Sequence, residues 1–118
     1  MAVQTYRDLL VWQRGMDLAV DVYRLTRLFP PDELYGLTSQ VRRSSVSVPS
    51  NVAEGQGRGI GAEFAHHLRI AQGSLQEVET QLLLAERLGY LRQADLMPVM
   101  DLAGEVGRLN RGLQKTLP

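Results

Sequence analysis

Between Phe64 and Ala85 the apolar and small residues fall at Phe64, Leu68, Ala71, Leu75, Val78, Leu82 and Ala85. That is an unbroken alternation of four- and three-residue steps. Such spacing gathers every member on one stripe of an α-helix and fits no strand, whose period is two. A stripe kept through three heptads needs a helical partner along its whole length, crossing at a shallow, left-handed angle. The chain is therefore committed to a helical bundle.

The stripe sits inside a longer stretch, Gly36 to Glu79, that reads as two amphipathic helices joined by a glycine-rich turn. Small residues there (Ser44, Ser45, Gly73, Ser74) stand where bulky apolar ones are usual, and imply close approach of helix backbones. The earlier helix of this pair is expected from about Leu34–Leu37 to Ala53–Gln56, with Leu37, Val41, Val48 and Val52 on one face. Pro49 lies inside it. A proline there leaves the carbonyl of Ser45 without its amide and predicts a kink. The competing reading is a break near Ser47, with Asn51 capping a new helix and Glu54 completing an N-x-x-E box.

Before this pair, a first helix is expected from about Asp8 to Leu28. Val11, Gly15, Leu18, Val22, Leu25 and Phe29 form one stripe, and Trp12, Met16, Ala19 and Tyr23 a second beside it. Two adjacent stripes need burial over a wide face, inside a bundle or between copies. Pro30-Pro31 ends the helix. At the far end Gly89 predicts a left-handed cap for the third helix, with Tyr90-Leu91 folding back. A fourth helix is expected after Asp95 as N-cap, placing Pro98 in the first turn. Leu96, Val99, Ala103 and Val106 line its inner side, while Gly104, Gly107 and Gly112 weaken it toward a frayed end. No strand pattern competes, and the short connections predict an all-α, antiparallel up-down-up-down four-helix bundle.

One domain over residues 1–118 is the natural count for this length. With 44% apolar and 22% charged residues the composition is that of a folded domain rather than a disordered one. No run approaches the roughly 20 apolar residues of a membrane span, and MAVQTYRDLL lacks the pattern of a secretory signal. Cysteine is absent, which excludes disulfides, thiolate metal sites and cysteine nucleophiles. A cytoplasmic location is the expectation. Thirteen basic residues balance thirteen acidic ones, so no global field draws the chain to nucleic acid or anionic lipid.

The search for chemistry returns little. Gly57, Gly59 and Ala62 spell a G-x-G-x-x-A string, but a dinucleotide site needs a strand before it and here a helix precedes. Glu63 and His66 have the E-x-x-H spacing of di-iron bundles, yet no second such pair exists and the one other histidine is the adjacent His67. The serines lack a recognisable base and oxyanion donors. Glu54, Glu77 and Glu79 include a conceivable acid–base pair, with solvated or arginine-paired carboxylates the plainer reading. Neither an enzyme nor a cofactor or metal is expected. Arg42, Arg43, Arg58 and Arg69, on the two central helices and their junction, are candidate phosphate contacts, with Glu54, Glu63 and Glu77 near enough to neutralise them.

The segments VWQRGMDLAVDVYRLT, YGLTSQVRRSSVSVPSNVAEGQGR and EFAHHLRIAQGSLQEVETQLLLAERLGYL strongly resemble the small bacterial bundle proteins encoded within intervening sequences of 23S ribosomal RNA genes. The likeness covers about residues 6 to 91. Its distinctive core is SVSVPSNVAEG followed by GSLQEVE. Matching positions are Asn51, Glu54, Gly55, Arg58, Glu63, Phe64, Gly73, Ser74, Glu77 and Glu79. The resemblance implies an antiparallel four-helix bundle that associates into a ring-like homopentamer. The chain is also similar, more distantly, to accessory proteins of diversity-generating retroelements, which bind nucleic acid with a basic surface. Two departures stand out: Gly59-Ile60-Gly61-Ala62 replaces a junction that is more polar in relatives, and the fourth helix diverges. The combined expectation is a non-enzymatic, homo-oligomeric scaffold with interface residues Trp12, Met16 and Tyr23, RNA or DNA binding through the arginines being the alternative.

Overall fold

A computed structural model describes residues 5–118. Four helices follow one another: α1 (Leu10–Thr26), α2 (Leu37–Gly57), α3 (Ala62–Arg87) and α4 (Gln93–Gln114). Short 3-10 turns, Tyr6–Asp8 and Pro31–Glu33, precede α1 and α2. Each helix packs against its two chain neighbours, α4 closes back onto α1, and neither diagonal pair meets among the described residues. This is the up-down-up-down four-helix bundle, measuring 43 × 25 × 20 Å. The long dimension is that of α3, since 26 residues at about 1.5 Å each span about 39 Å.

The α3 stripe behaves as its spacing requires. Leu68, Ala71, Val78, Leu82 and Ala85 are fully buried, and Phe64 and Leu75 nearly so. Facing them are Val11, Leu18, Val22 and Leu25 of α1, Val41, Val48 and Val52 of α2, and Leu96, Val99, Ala103 and Val106 of α4. Three small polar keys interrupt this core. Ser45 is sealed from solvent and returns its hydroxyl to the Arg42 carbonyl at 2.8 Å. Thr26 does the same to Tyr23 at 3.0 Å. Asn110, 2% exposed, donates from α4 to the Leu68 carbonyl and to Gln72 Oε1, each at 2.9 Å.

The ends of the elements follow local chemistry. Gly89 has φ of +82° and lets the Tyr90 amide reach back to the Ala85 carbonyl at 2.9 Å, the wrap of a Schellman cap. Tyr90 then packs on Phe29, and Leu91 is buried. Glu33 closes the start of α2: one carboxylate oxygen accepts the Leu37 amide at 3.0 Å and the other the Tyr90 hydroxyl at 2.8 Å. These bonds hold the Glu33 carboxyl below its ordinary range, the Leu37 amide contributing most, and the same contact raises the Tyr90 phenol.

Three local expectations need correction, and one competing reading falls away. α1 is shorter than Asp8–Leu28, because Asp8 belongs to a separate capped 3-10 turn and Leu9 is extended between the two. α2 runs unbroken through Pro49, as the continuous-helix reading expected, and the competing break near Ser47 is excluded: Asn51 caps nothing and sits mid-helix, donating to the Ser47 carbonyl at 2.8 Å. α4 starts at Gln93, before Asp95. The N-cap is Arg92, whose amide is accepted by the Asp95 carboxylate, and this moves Pro98 from the first turn into the helix proper. The helix nonetheless continues through Gly104, Gly107 and Gly112. The third correction concerns Gly73, expected at a tight helix contact. It is exposed, and a Cβ added there would meet nothing within 4 Å.

Candidate interaction surfaces

The two flanks of α2 present the functional residues. On the α1 side lies an open groove of about 560 Å³. Its lining includes Tyr6, Trp12, Met16, Tyr23, Val46 and Pro49, with Arg24 and Arg27 also at its edge. Part of the second stripe of α1 is thus left uncovered by the described residues, although Ala19 is buried and Trp12 half-buried. Met16 and Tyr23 are each 42% exposed, and Val20 and Val46 beside them are exposed as well. All three residues expected at an interface, Trp12, Met16 and Tyr23, are brought together here. Trp12 is pinned edge-on by Tyr6, with ring centroids 5.3 Å apart. Arg42 stacks its guanidinium 4.7 Å over the Tyr23 ring and donates to the Thr26 hydroxyl at 2.8 Å, which fixes the ring from below.

On the α3 side the seam is tight and polar. A Cβ on Gly55 would fall 2.6 Å from His67 Cβ and 3.1 Å from Phe64 Cδ1, so only glycine lets α2 and α3 approach this closely. Above it runs a hydrogen-bonded ladder. Ser74 Oγ meets Ser47 Oγ at 2.9 Å. Asn51 Nδ2 donates to Ser47 Oγ at 3.0 Å, and Asn51 Oδ1 meets His67 Nδ1 at 3.1 Å. Beyond Ser74 the seam opens into a cleft of about 420 Å³ with Gln40, Arg43, Glu77 and Gln81 on its walls. The ladder is the feature that reading by stripe missed. Its signal was present in Ser47, Asn51 and Ser74, whose spacing placed them together on facing helices.

The four candidate arginines do not form one patch. Arg42 is committed to Tyr23 and Thr26 on the α1 flank, whereas Arg43, one residue and about 100° further round the helix, lines the cleft on the other flank. Arg58 pairs with Glu54 at 3.2 Å and lies 3.8 Å from Glu63. Arg69 lines a shallow depression at the α2–α3 turn together with Glu54, Arg58, Glu63, His66 and His67. In that turn the E-x-x-H pair is divided: Glu63 faces Arg58, and His66 lies edge-on to His67. No group of three metal-binding side chains occurs among the described residues. Glu77 and Glu79 take separate places, Glu77 on the cleft wall and Glu79 half-buried. On the opposite edge of the bundle, Glu105 accepts a bidentate pair from Arg14 at 2.8 and 3.1 Å, which ties α4 to α1 and holds its carboxyl low. No helix among the described residues is long and apolar enough to cross a membrane.

The class defined by this geometry is an antiparallel four-helix bundle with an apolar groove on one flank of its second helix and a polar, glycine-tightened seam on the other. Residues 7–112 match the family described as 23S rRNA-intervening sequence protein, and the chain belongs to that family. Among solved structures it is similar to a protein of unknown function from Bacteroides thetaiotaomicron, described as a member of the S23 ribosomal protein family. The TM-score is 0.82 at 22% identity, over 90% of this chain and 96% of that one. At that identity the likeness is one of fold. No curated protein matches.

Proposed function

We propose that the protein is a non-enzymatic scaffold, working in the cytoplasm, that assembles with copies of itself through the α1–α2 groove and presents the assembled surface to another macromolecule. The observation that carries this reading is the convergence of Trp12, Met16 and Tyr23 on one uncovered apolar groove. Contiguous exposed apolar surface of this kind marks interaction sites on folded domains, and tyrosine, tryptophan and arginine are the residues that anchor interfaces. A ring of five is the stoichiometry that the family resemblance suggests. Sedimentation of the purified protein at micromolar concentration tests it. The wild type sediments as an oligomer and Met16→Glu as a folded monomer; a wild type that is monomeric throughout overturns the reading.

A second reading, RNA or DNA binding, draws support from Arg43 and Arg69, both exposed and without an acidic partner among the described residues. Repetition around an oligomer multiplies weak phosphate contacts through avidity. Binding of structured RNA or duplex DNA must then fall steeply with salt and fall further in Arg43→Ala/Arg69→Ala. Binding indifferent to salt rejects it.

A further inference from the structure

The turn between α1 and α2 carries an unusual side chain. Tyr35 is 93% exposed, and Leu34 beside it is 49% exposed. An aromatic ring held almost wholly in water is ordinarily found on mobile chain, but this turn is braced. Pro30 and Pro31 restrict its start and Pro31–Glu33 form a 3-10 turn. Both oxygens of Glu33 are occupied, by the Leu37 amide and by Tyr90 from beyond α3. The turn is therefore a rigid mount for an apolar knob. Rigid tyrosines give large contact area with little loss of conformational freedom on binding.

We infer that Leu34-Tyr35 of one copy is the plug for the α1–α2 groove of the next, an inference that rests on the self-association reading above. None of the described residues fills the groove, and Tyr35, at 93% exposure, does not reach it within one chain. Charge matches as well as polarity. Arg27 edges the groove and has no acidic partner among the described residues, and Arg24 holds Asp21 only at 3.4 Å. Asp32, exposed and without an ion pair among the described residues, stands next to the knob. Inserting Tyr35 among Met16, Val20 and Tyr23 brings Asp32 of one copy toward Arg27 of the other, which sets orientation as well as contact. Knob and groove are different surfaces, so the contact is head-to-tail. Each copy offers one of each, and repetition closes into a ring or runs on as a filament according to the rotation per step.

The absence of cysteine makes the test clean. Tyr35→Cys and Val20→Cys proteins are prepared separately, mixed at micromolar concentration and oxidised, with Tyr35→Cys mixed with Leu84→Cys, on the outer face of α3, as control. A disulfide forms between Tyr35→Cys and Val20→Cys chains and not in the control. Tyr35→Ser weakens association by about tenfold or more, as for an interface hot spot, with its melting temperature as a monomer unchanged. Asp32→Arg weakens association, and Arg27→Asp added to it restores it. If wild type associates but Tyr35→Ser associates equally well and no cross-link forms, the plug is wrong and self-association stands. If wild type is monomeric, both fall.

Discussion

The two flanks of α2 are built from the same kinds of residue and do opposite things. Toward α3, small side chains remove distance: Gly55 admits the side chains of His67 and Phe64, and Ser47 and Ser74 meet hydroxyl to hydroxyl. Toward α1, small side chains leave a groove, because Ala19, Ser50 and Ala53 stand between larger residues on the two helices and none of the described residues fills the gap. Size alone therefore does not decide whether a small residue closes a seam or opens one. What decides is the residue opposite. Phe64 and His67 press onto Gly55, whereas the side chains around the groove stand along its margins.

The largest test of this contrast is Gly55→Val. Its Cβ would collide with His67 Cβ, which belongs to the helix and cannot swing aside, so overpacking costs stability at the upper end of roughly 1–3 kcal/mol. Urea denaturation reads it, and a neutral result would break the account of the seam. Ser74→Ala removes one rung of the ladder while Asn51 still serves Ser47. Its expected cost is about 0.5–1.5 kcal/mol, and the matching Ser50→Ala on the groove side changes stability little. Gly73→Ala is expected to stabilise by about 0.5–1 kcal/mol, the ordinary gain of alanine over glycine in an exposed helix. A loss there would sharpen the comparison differently, by revealing a neighbour that covers this face after assembly.

The most conditional effect belongs to Glu33, which anchors the end of α2 common to both flanks. Its folded carboxyl is held below its unfolded range, first by the Leu37 amide and then by the Tyr90 hydroxyl. The stability it adds is thus present above the unfolded pKa and is lost as pH falls through the folded one. Thermal melts of wild type and Glu33→Gln should differ at neutral pH and converge in strong acid. A gap that stays constant with pH would exclude the carboxylate as its source.

The bundle was legible because its main signal is periodic. The Phe64–Ala85 stripe, the Pro30-Pro31 stop and the Gly89 cap each depend on local chemistry that a sequence displays directly. Gly73 was misread, and the candidate arginines lie apart, for a shared reason. A doublet such as Arg42-Arg43 looks like one patch in the sequence, yet one residue of helical rotation sends its members to opposite flanks. Gly73 and Ser74 divide in the same way, one outward and one into the seam. The start of α4 was misplaced because Asp95 suits two positions of a helix terminus. It acts from the third residue back onto Arg92, a residue without the usual capping oxygen. The groove itself was anticipated through its residues, but its emptiness was not, since periodicity reports which residues share a face and not whether anything covers it.

Asn51 directs its nitrogen at Ser47, so its oxygen must face His67, and the neutral imidazole presents Nδ1–H to it. The bare nitrogen is then Nε2, on a ring that lines the open depression with Glu54, Arg58 and Arg69. One ring thus serves both the joint between α2 and α3 and the outer surface at their turn, so a change at His67 is felt in both places.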